Sequence, residues 1–352
     1  RAEKYYVEGN FEKDIQIRKN IHEILTADLV RLKEKGTVII GSGVTDPYQP
    51  CEKDECLMPE IIETFSERNL SVAVLTKSSL VNRDLEEWKI LHRRAGFILM
   101  VSLTMVDDTV RQIFEPQAGT VSERIETMRR FKRAGCHVGV LAMPFLPFIN
   151  DSIKDIELFA DVMQSVPVDF VLPGSLTLRP GKQKNVFLNT IKTHFPEHYT
   201  SYTQLYSLEK PSGVPNYTYR KTLFRRIHSI LSKRSLSTLI PHRIYRHHYP
   251  IQDEIYILLN HMADLYSRKG IPVHSLLEAL QKYREWLITE RKRLNRSRKL
   301  DGSYIESKLN VIRKQNRLNE LFGNRKLARF IDMLWNRDNV FDYRLLSWTE
   351  AK

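Results

Sequence analysis

Seven polar residues stand at or just beyond the ends of apolar runs in the first half of the chain: Thr45, Asp46, Tyr48, Lys77, Ser102, Glu115 and Arg124. If the runs are parallel strands, residues in such places line a ligand site, because active sites of barrel-like α/β folds form at the strands' C-terminal ends. Thr45, Asp46 and Tyr48 follow Gly41-Ser-Gly43, where glycine permits close backbone approach and the three side chains offer hydrogen bonds to a bound molecule. Glu115 precedes Arg124 by nine residues, a spacing that suits either a ligand-facing pair or a salt bridge between a loop and a helix. Cys51 lies in the same loop as Tyr48. It could bind a metal with Cys56, and an ordinary loop thiol is the plainer alternative.

The elements that must position these residues are readable from periodicity. Five continuous apolar runs, 37–42, 71–76, 97–102, 137–142 and 169–173, have the composition of strands buried on both faces in a parallel sheet. Amphipathic segments at 57–68, 84–94, 122–134 and 153–165 alternate with them, which predicts an α/β fold of the barrel-like or doubly wound kind. Ahead of the first run, Phe11 to Lys35 reads as one long helix ending at Gly36. A barrel normally opens on a strand, so this arrangement predicts a further strand and loop upstream of Arg1. After about residue 200 the pattern turns to helices alone, at 253–268, 273–298, 305–321 and 325–335. The expected division is therefore 1–200 and 201–352.

Charge divides the chain the same way. Of 55 Lys+Arg and 42 Asp+Glu, residues 201–352 hold 29 and 14, so the whole net charge of +13 arises there. Residues 211–252 contain no acid and carry Arg220, Lys221, Arg225, Arg226, Lys233, Arg234, Arg243 and Arg246, interleaved with aromatic residues that include Tyr245 and Tyr249. Cations and aromatics in alternation suit phosphate neutralisation and base stacking, and predict nucleic-acid contact; the bland alternative is a solvated helical face. A chain that is 42% hydrophobic excludes disorder as its main state. The longest apolar runs fall short of a membrane span. Three cysteines are too few for a disulfide framework, and a cytoplasmic setting is expected.

Taken together, Gly-Ser-Gly-Val-Thr-Asp-Pro-Tyr-Gln-Pro-x-Glu (41–52), Leu-Thr-Lys-Ser (75–78), Arg83-Asp84, Val-Ser-Leu-Thr (101–104), Glu115-Pro with Arg124, and Asn150-Asp151 resemble the radical S-adenosylmethionine (SAM) proteins related to spore photoproduct lyase, often labelled DNA repair photolyases. The resemblance runs from about Phe11 to residue 180. It implies a partial (β/α)6 TIM-like barrel, lacking its first strand in this chain and followed by a basic all-helical region. It further implies that SAM is cleaved at a 4Fe-4S cluster to a radical that abstracts hydrogen from substrate. On that reading Lys77 and Arg124 pair with the carboxylate or ribose side of SAM, Ser102 and Glu115 bond its ribose or amino group, and Thr45, Asp46 and Tyr48 line the pocket. An electron donor such as flavodoxin or ferredoxin is implied as a partner. The family's cluster-binding Cys-x-x-x-Cys-x-x-Cys is absent from these residues and expected upstream of Arg1. The hydrogen-donating cysteine of spore photoproduct lyase would fall near Gly43 and Val44, so Cys51 is the nearby candidate. Nucleic-acid repair or modification is the first expectation. A cluster-less nucleic-acid binder, and a radical SAM enzyme for a small molecule or protein, are the alternatives.

Overall fold

The computed structural model describes residues 15–41, 45–246 and 248–350. The chain separates into two compact units, one of residues 1–22 and 39–240, the other of residues 23–38 and 241–352. A short helix, α1 (Ile21–Val30), comes first.

The first unit is built on a five-stranded sheet in the order β1 (Val38–Ile40), β2 (Val72–Thr76), β3 (Phe97–Ser102), β4 (His137–Phe145), β5 (Phe170–Ser175). These are the five apolar runs of the sequence. β2 to β5 pair in parallel, with Val74 opposite Leu99, Leu99 opposite Val138 and Val140 opposite Val171. Helices between the strands are α2 (Glu52–Glu55), α3 (Leu57–Glu67), α4 (Leu85–Ala95), α5 (Asp108–Phe114), α6 (Val121–Arg133) and α7 (Ile153–Ser165). After β5 follow α8 (Lys182–His194), α9 (Tyr199–Leu205) and α10 (Tyr217–Lys233). A parallel sheet flanked by helices is consistent with a partial α/β barrel. Local sequence sets the helix starts: Thr120 with Glu123, and Ser152 with Asp155, form reciprocal capping boxes that satisfy the first amides of α6 and α7. The strands bury Val72, Val74, Leu99, Val138, Val140 and Phe170 completely, and Trp88 of α4 stacks on Phe97 with ring centroids 4.4 Å apart. Gly139 is required inside β4, since a Cβ there would lie 2.2 Å from the Phe170 ring.

The second unit continues with α11 (His242–Tyr245), α12 (Ile251–Arg268), α13 (His274–Arg296), α14 (Tyr304–Lys314), α15 (Leu318–Phe322) and α16 (Arg325–Asp332). Its core joins Leu258, Leu259, Tyr283, Leu294, Leu309 and Ile331. The helix expected over 305–321 is two helices, because Asn316 takes the left-handed conformation (φ 57°) that ends α14. The region is not all-helical either. β6 (Asn339–Asp342) and β7 (Ser347–Glu350) form an antiparallel hairpin whose Phe341 and Trp348 face each other and pack on Phe330. Four-residue strands with one apolar anchor each are too short for a periodicity signal.

The long helix expected over 11–35 shrinks to α1. Residues 11–14 lie outside the described residues, and residues 15–18 are not helical. Beyond Val30 the chain leaves the helix and serves α13 instead: Lys33 Nζ donates to the carbonyls of Leu294 (2.8 Å) and Ser297 (2.5 Å), and Glu34 accepts from Arg291 (3.0 Å). A cation at the carbonyl end of a 23-residue helix completes its unsatisfied acceptors.

Candidate cofactor site at the strand ends

The loop after β1 is tied to the end of β2 by a single carboxylate. Asp46 accepts from Thr76 Oγ1 (2.7 Å) and from the backbone amides of Lys77 (2.7 Å) and Tyr48 (2.9 Å). Thr45, beside it, is exposed. Gly41 adopts φ 93°, and a Cβ there would sit 2.3 Å from the Leu75 carbonyl oxygen, so this glycine allows close approach of two strands rather than of a ligand. Residues 42–44, near which the resemblance places the hydrogen-donating cysteine of spore photoproduct lyase, lie outside the described residues.

Glu115, just past α5, draws the next elements together. Its Oε1 accepts from Lys77 Nζ at 2.7 Å and its Oε2 from Arg124 Nη2 at 2.7 Å. Arg124 is rooted in α6 and 97% buried in its side chain, with Nη1 on the Ser102 carbonyl (2.9 Å) and Nε on the Gly119 carbonyl (2.9 Å). Ser102 thus enters the site through its backbone oxygen. Burial pushes the Glu115 carboxyl up, but Lys77 and Arg124, by charge and by hydrogen bond, outweigh it and hold the pKa below the usual glutamate range. The side chain of Lys77 is 41% exposed, so the outer edge of this trio meets solvent. The arrangement presents a carboxylate and an ammonium side by side, the complement of a zwitterionic amino-acid group.

Tyr48 does not line this site. It is 1% exposed, donates its hydroxyl hydrogen to Asp84 Oδ2 (2.9 Å) and accepts from Trp88 Nε1 (2.8 Å). The network continues through Arg83, which donates to Asp84 (2.6 Å) and Glu52 (2.7 Å), while Glu52 in turn accepts from the amides of Leu57 (3.2 Å) and Met58 (2.9 Å) at the start of α3. The Tyr-Gln-Pro-x-Glu and Arg-Asp motifs therefore fasten the loop after β1 to α3 and α4. A buried phenol must find such partners, and the sequence showed the partners only as separate motifs. Cys51 and Cys56 bracket α2, and Cys56 Sγ lies 3.5 Å from Arg83 Nη1. Cys136 is fully buried, and that burial raises its pKa to about 11. Among the described residues no group of three or more His, Cys, Asp or Glu could hold a metal ion, so the residues at hand do not fit a 4Fe-4S cluster.

The basic segment divides. On α10, Arg225 and Lys233 are exposed, Arg226 donates to the Asp151 carbonyl and Arg220 is half-buried, and just past its end Arg234 pairs with Asp161 (2.5 Å). In the second unit Arg243 is exposed, but Tyr245 and Arg246 are inside, which overturns their expected role as polymer contacts. Arg246, fully buried, donates to Glu254 Oε1 (2.5 Å) and to the carbonyls of Asn339 (2.9 Å), Leu334 (2.6 Å) and Asn336 (3.0 Å). Tyr245 shares a 2.7 Å hydrogen bond with the Tyr343 hydroxyl. The acid that claims Arg246 stands two residues beyond the acid-free window, so the window's composition could not reveal it.

A parallel sheet flanked by helices, with a charged trio beyond its strand ends, defines the class of protein as an α/β domain. Residues 10–160, which carry β1 to β4 and the whole Lys77–Glu115–Arg124 trio, match the Radical SAM superfamily model. An uncharacterized protein of Mycobacterium tuberculosis is 26% identical over 229 residues, 65% of this chain and 66% of that protein, so the match spans just under two thirds of the relative's length. An uncharacterized protein of Acidianus two-tailed virus is 29% identical over 143 residues, 39% of this chain and 45% of its own. Among solved structures, spore photoproduct lyase complexed with dinucleoside spore photoproduct gives a TM-score of 0.45 at 13% identity, covering 61% of this chain and 63% of that one. A domain of pyruvate-formate lyase-activating enzyme from Bacteroides vulgatus gives 0.36 at 19% identity, covering 58% and 96%.

Proposed function

We propose that this protein is a radical SAM enzyme acting on a nucleic acid, with SAM held at the strand ends around Glu115. The observation that carries the reading is the Lys77–Glu115–Arg124 trio, inside the stretch that matches the Radical SAM superfamily and open to solvent on its Lys77 side. Glu115 Oε1, kept ionised and aimed by buried Arg124, would hold the amino group of SAM, and the Lys77 ammonium, freed from that oxygen, would hold its carboxylate. SAM in this superfamily supplies the chemistry of hydrogen abstraction. Nucleic acid is favoured as substrate by the acid-free helix α10, which keeps Lys221, Arg225 and Lys233 exposed on the same unit as the trio.

Calorimetric titration of the full chain with SAM tests the site. Glu115→Gln is expected to weaken SAM by roughly 10- to 100-fold, the loss of a charge-assisted hydrogen bond worth about 1.5–3 kcal/mol, whereas Arg220→Ala leaves the affinity unchanged. Equal affinity in wild type and Glu115→Gln removes Glu115 from the site.

A further inference from the structure

The loop after β4 holds an exposed aromatic ring in a strained conformation, apart from the trio. Phe148 is 40% exposed and takes φ 65°, the left-handed region that a bulky residue enters only at a cost. Three side chains hold it there. Asp151 Oδ1 accepts the Phe148 amide at 2.9 Å, and Asp151 Oδ2 accepts from the Tyr219 hydroxyl of α10 at 2.5 Å. Asn150 accepts from the Leu146 amide (2.6 Å) and donates to the Thr104 carbonyl (3.1 Å), pinning the turn to the chain beyond β3. Burial and the Asp151 bond push the Tyr219 hydroxyl's pKa up, so it stays a donor.

Below the exposed ring the support is aromatic. Tyr202, fully buried, meets Phe148 edge-on at 5.6 Å, with His198 at 5.9 Å and Tyr219 at 6.4 Å. An apolar ring kept in water, in a strained conformation, on a preorganised aromatic base is costly to maintain unless something covers it. The helix that supplies Tyr219 indicates what does. α10 has no acidic residue and sets Arg226 on the Asp151 carbonyl, so the cover is a partner that combines negative charge with a flat apolar face. Unpaired nucleotides have both, and an aromatic platform beside cations is how single strands are gripped without sequence preference.

We infer that Phe148 is a stacking platform for an unpaired base of the substrate strand, held out by Asp151 beside the acid-free helix α10. The inference rests on the nucleic-acid reading of the proposed function and names the residue that would meet a base.

Fluorescence anisotropy of the full chain with a labelled single-stranded oligonucleotide, and with an abasic strand of equal length, is the test. Phe148→Ala is expected to weaken the base-bearing strand by roughly 5- to 100-fold, since stacking is worth about 1–3 kcal/mol per base, and to leave the abasic strand and the salt slope unchanged. Phe148→Leu, which keeps an apolar side chain for the fold, is expected to lose as much, and Phe148→Trp to restore binding. If Phe148→Ala binds like wild type while Lys221→Gln with Arg225→Gln does not, the platform is wrong and the nucleic-acid reading stands. Full rescue by leucine, or equal loss on both strands, also overturns it. Absence of any binding by the wild type at low salt overturns both.

Discussion

Glu115 in the first unit and Glu254 in the second are each held between an arginine and a second nitrogen group. Glu254, Arg246 and His242 have side chains with no exposure at all. His242 accepts the Phe341 amide at Nδ1 (2.8 Å), which leaves Nε2 to donate to Glu254 Oε1 at 2.7 Å, a neutral imidazole with one fixed tautomer. Around Glu115 only the arginine is rooted, and the lysine reaches in from solvent. A sealed trio cannot change partners, because any exchange would strand a charge in a medium that solvates it poorly. The open trio can, since the leaving ammonium is received by water. Carboxylate chemistry alone therefore does not mark a site. What separates the two is whether one partner has an exit.

The sharpest way to break this contrast is Arg246→Ala. Removing one member of a buried pair leaves Glu254 without its cationic partner, and three backbone carbonyls without a donor, at a cost of about 3–5 kcal/mol. Urea unfolding followed by hydrogen exchange is expected to show lost protection in α12 and the β6–β7 hairpin while β2 to β4 keep theirs. A loss below about 1 kcal/mol would mean that the sealed trio is not structural.

Acid separates the surroundings of the two trios by pH window. Burial lowers the pKa of His242 and, with charge from His242 and Arg268, brings that of His261 from 6.5 to about 4. A histidine depressed in the fold binds fewer protons folded than unfolded, so its contribution is complete above pH 6.5 and is lost as pH falls toward about 4. Tyr343, which shares hydrogen bonds with His261 (2.6 Å) and Tyr245 (2.7 Å), lies in the hairpin that this loss loosens. Glu115, also depressed, contributes fully above 4.5 and loses its share only below that. Hydrogen exchange corrected for intrinsic rate is expected to show the hairpin and α12 opening between pH 6.5 and about 4, with the amides at the end of β2 around Thr76 and Lys77 protected until more acid conditions. Simultaneous opening would join what the two trios keep apart.

The five strands and the helices between them were legible because each is a long, single-character run. Lys77, Glu115 and Arg124 were legible as candidates because they follow strands, though only the folded chain shows that one carboxylate joins the other two. Tyr48 and Arg246 were misread for one reason: a polar residue's partner, Asp84 or Glu254, is chosen in space, and burial is invisible to composition. Phe148 passed unnoticed because an apolar residue after Pro147 looks like the end of a run, and its positive φ leaves no mark in residue type.

The smallest expected effect is the most discriminating. Lys77 is 41% exposed, so solvent and salt screen its pairing with Glu115, and Lys77→Ala is expected to cost only about 0.2–1 kcal/mol of stability. The deficit should shrink further at high ionic strength, while Arg124→Ala, at a buried position with three hydrogen bonds, keeps its larger penalty at any salt. SAM affinity is expected to fall about tenfold in Lys77→Ala, because the ligand's carboxylate loses a partner that the folded chain scarcely needs. A residue whose removal spares the fold and weakens the ligand is what an open trio predicts. If Lys77→Ala instead destabilised the first unit by several kcal/mol and left SAM binding alone, Glu115 would belong with Glu254 among the structural carboxylates, and the ligand would have to be sought elsewhere along the strand ends.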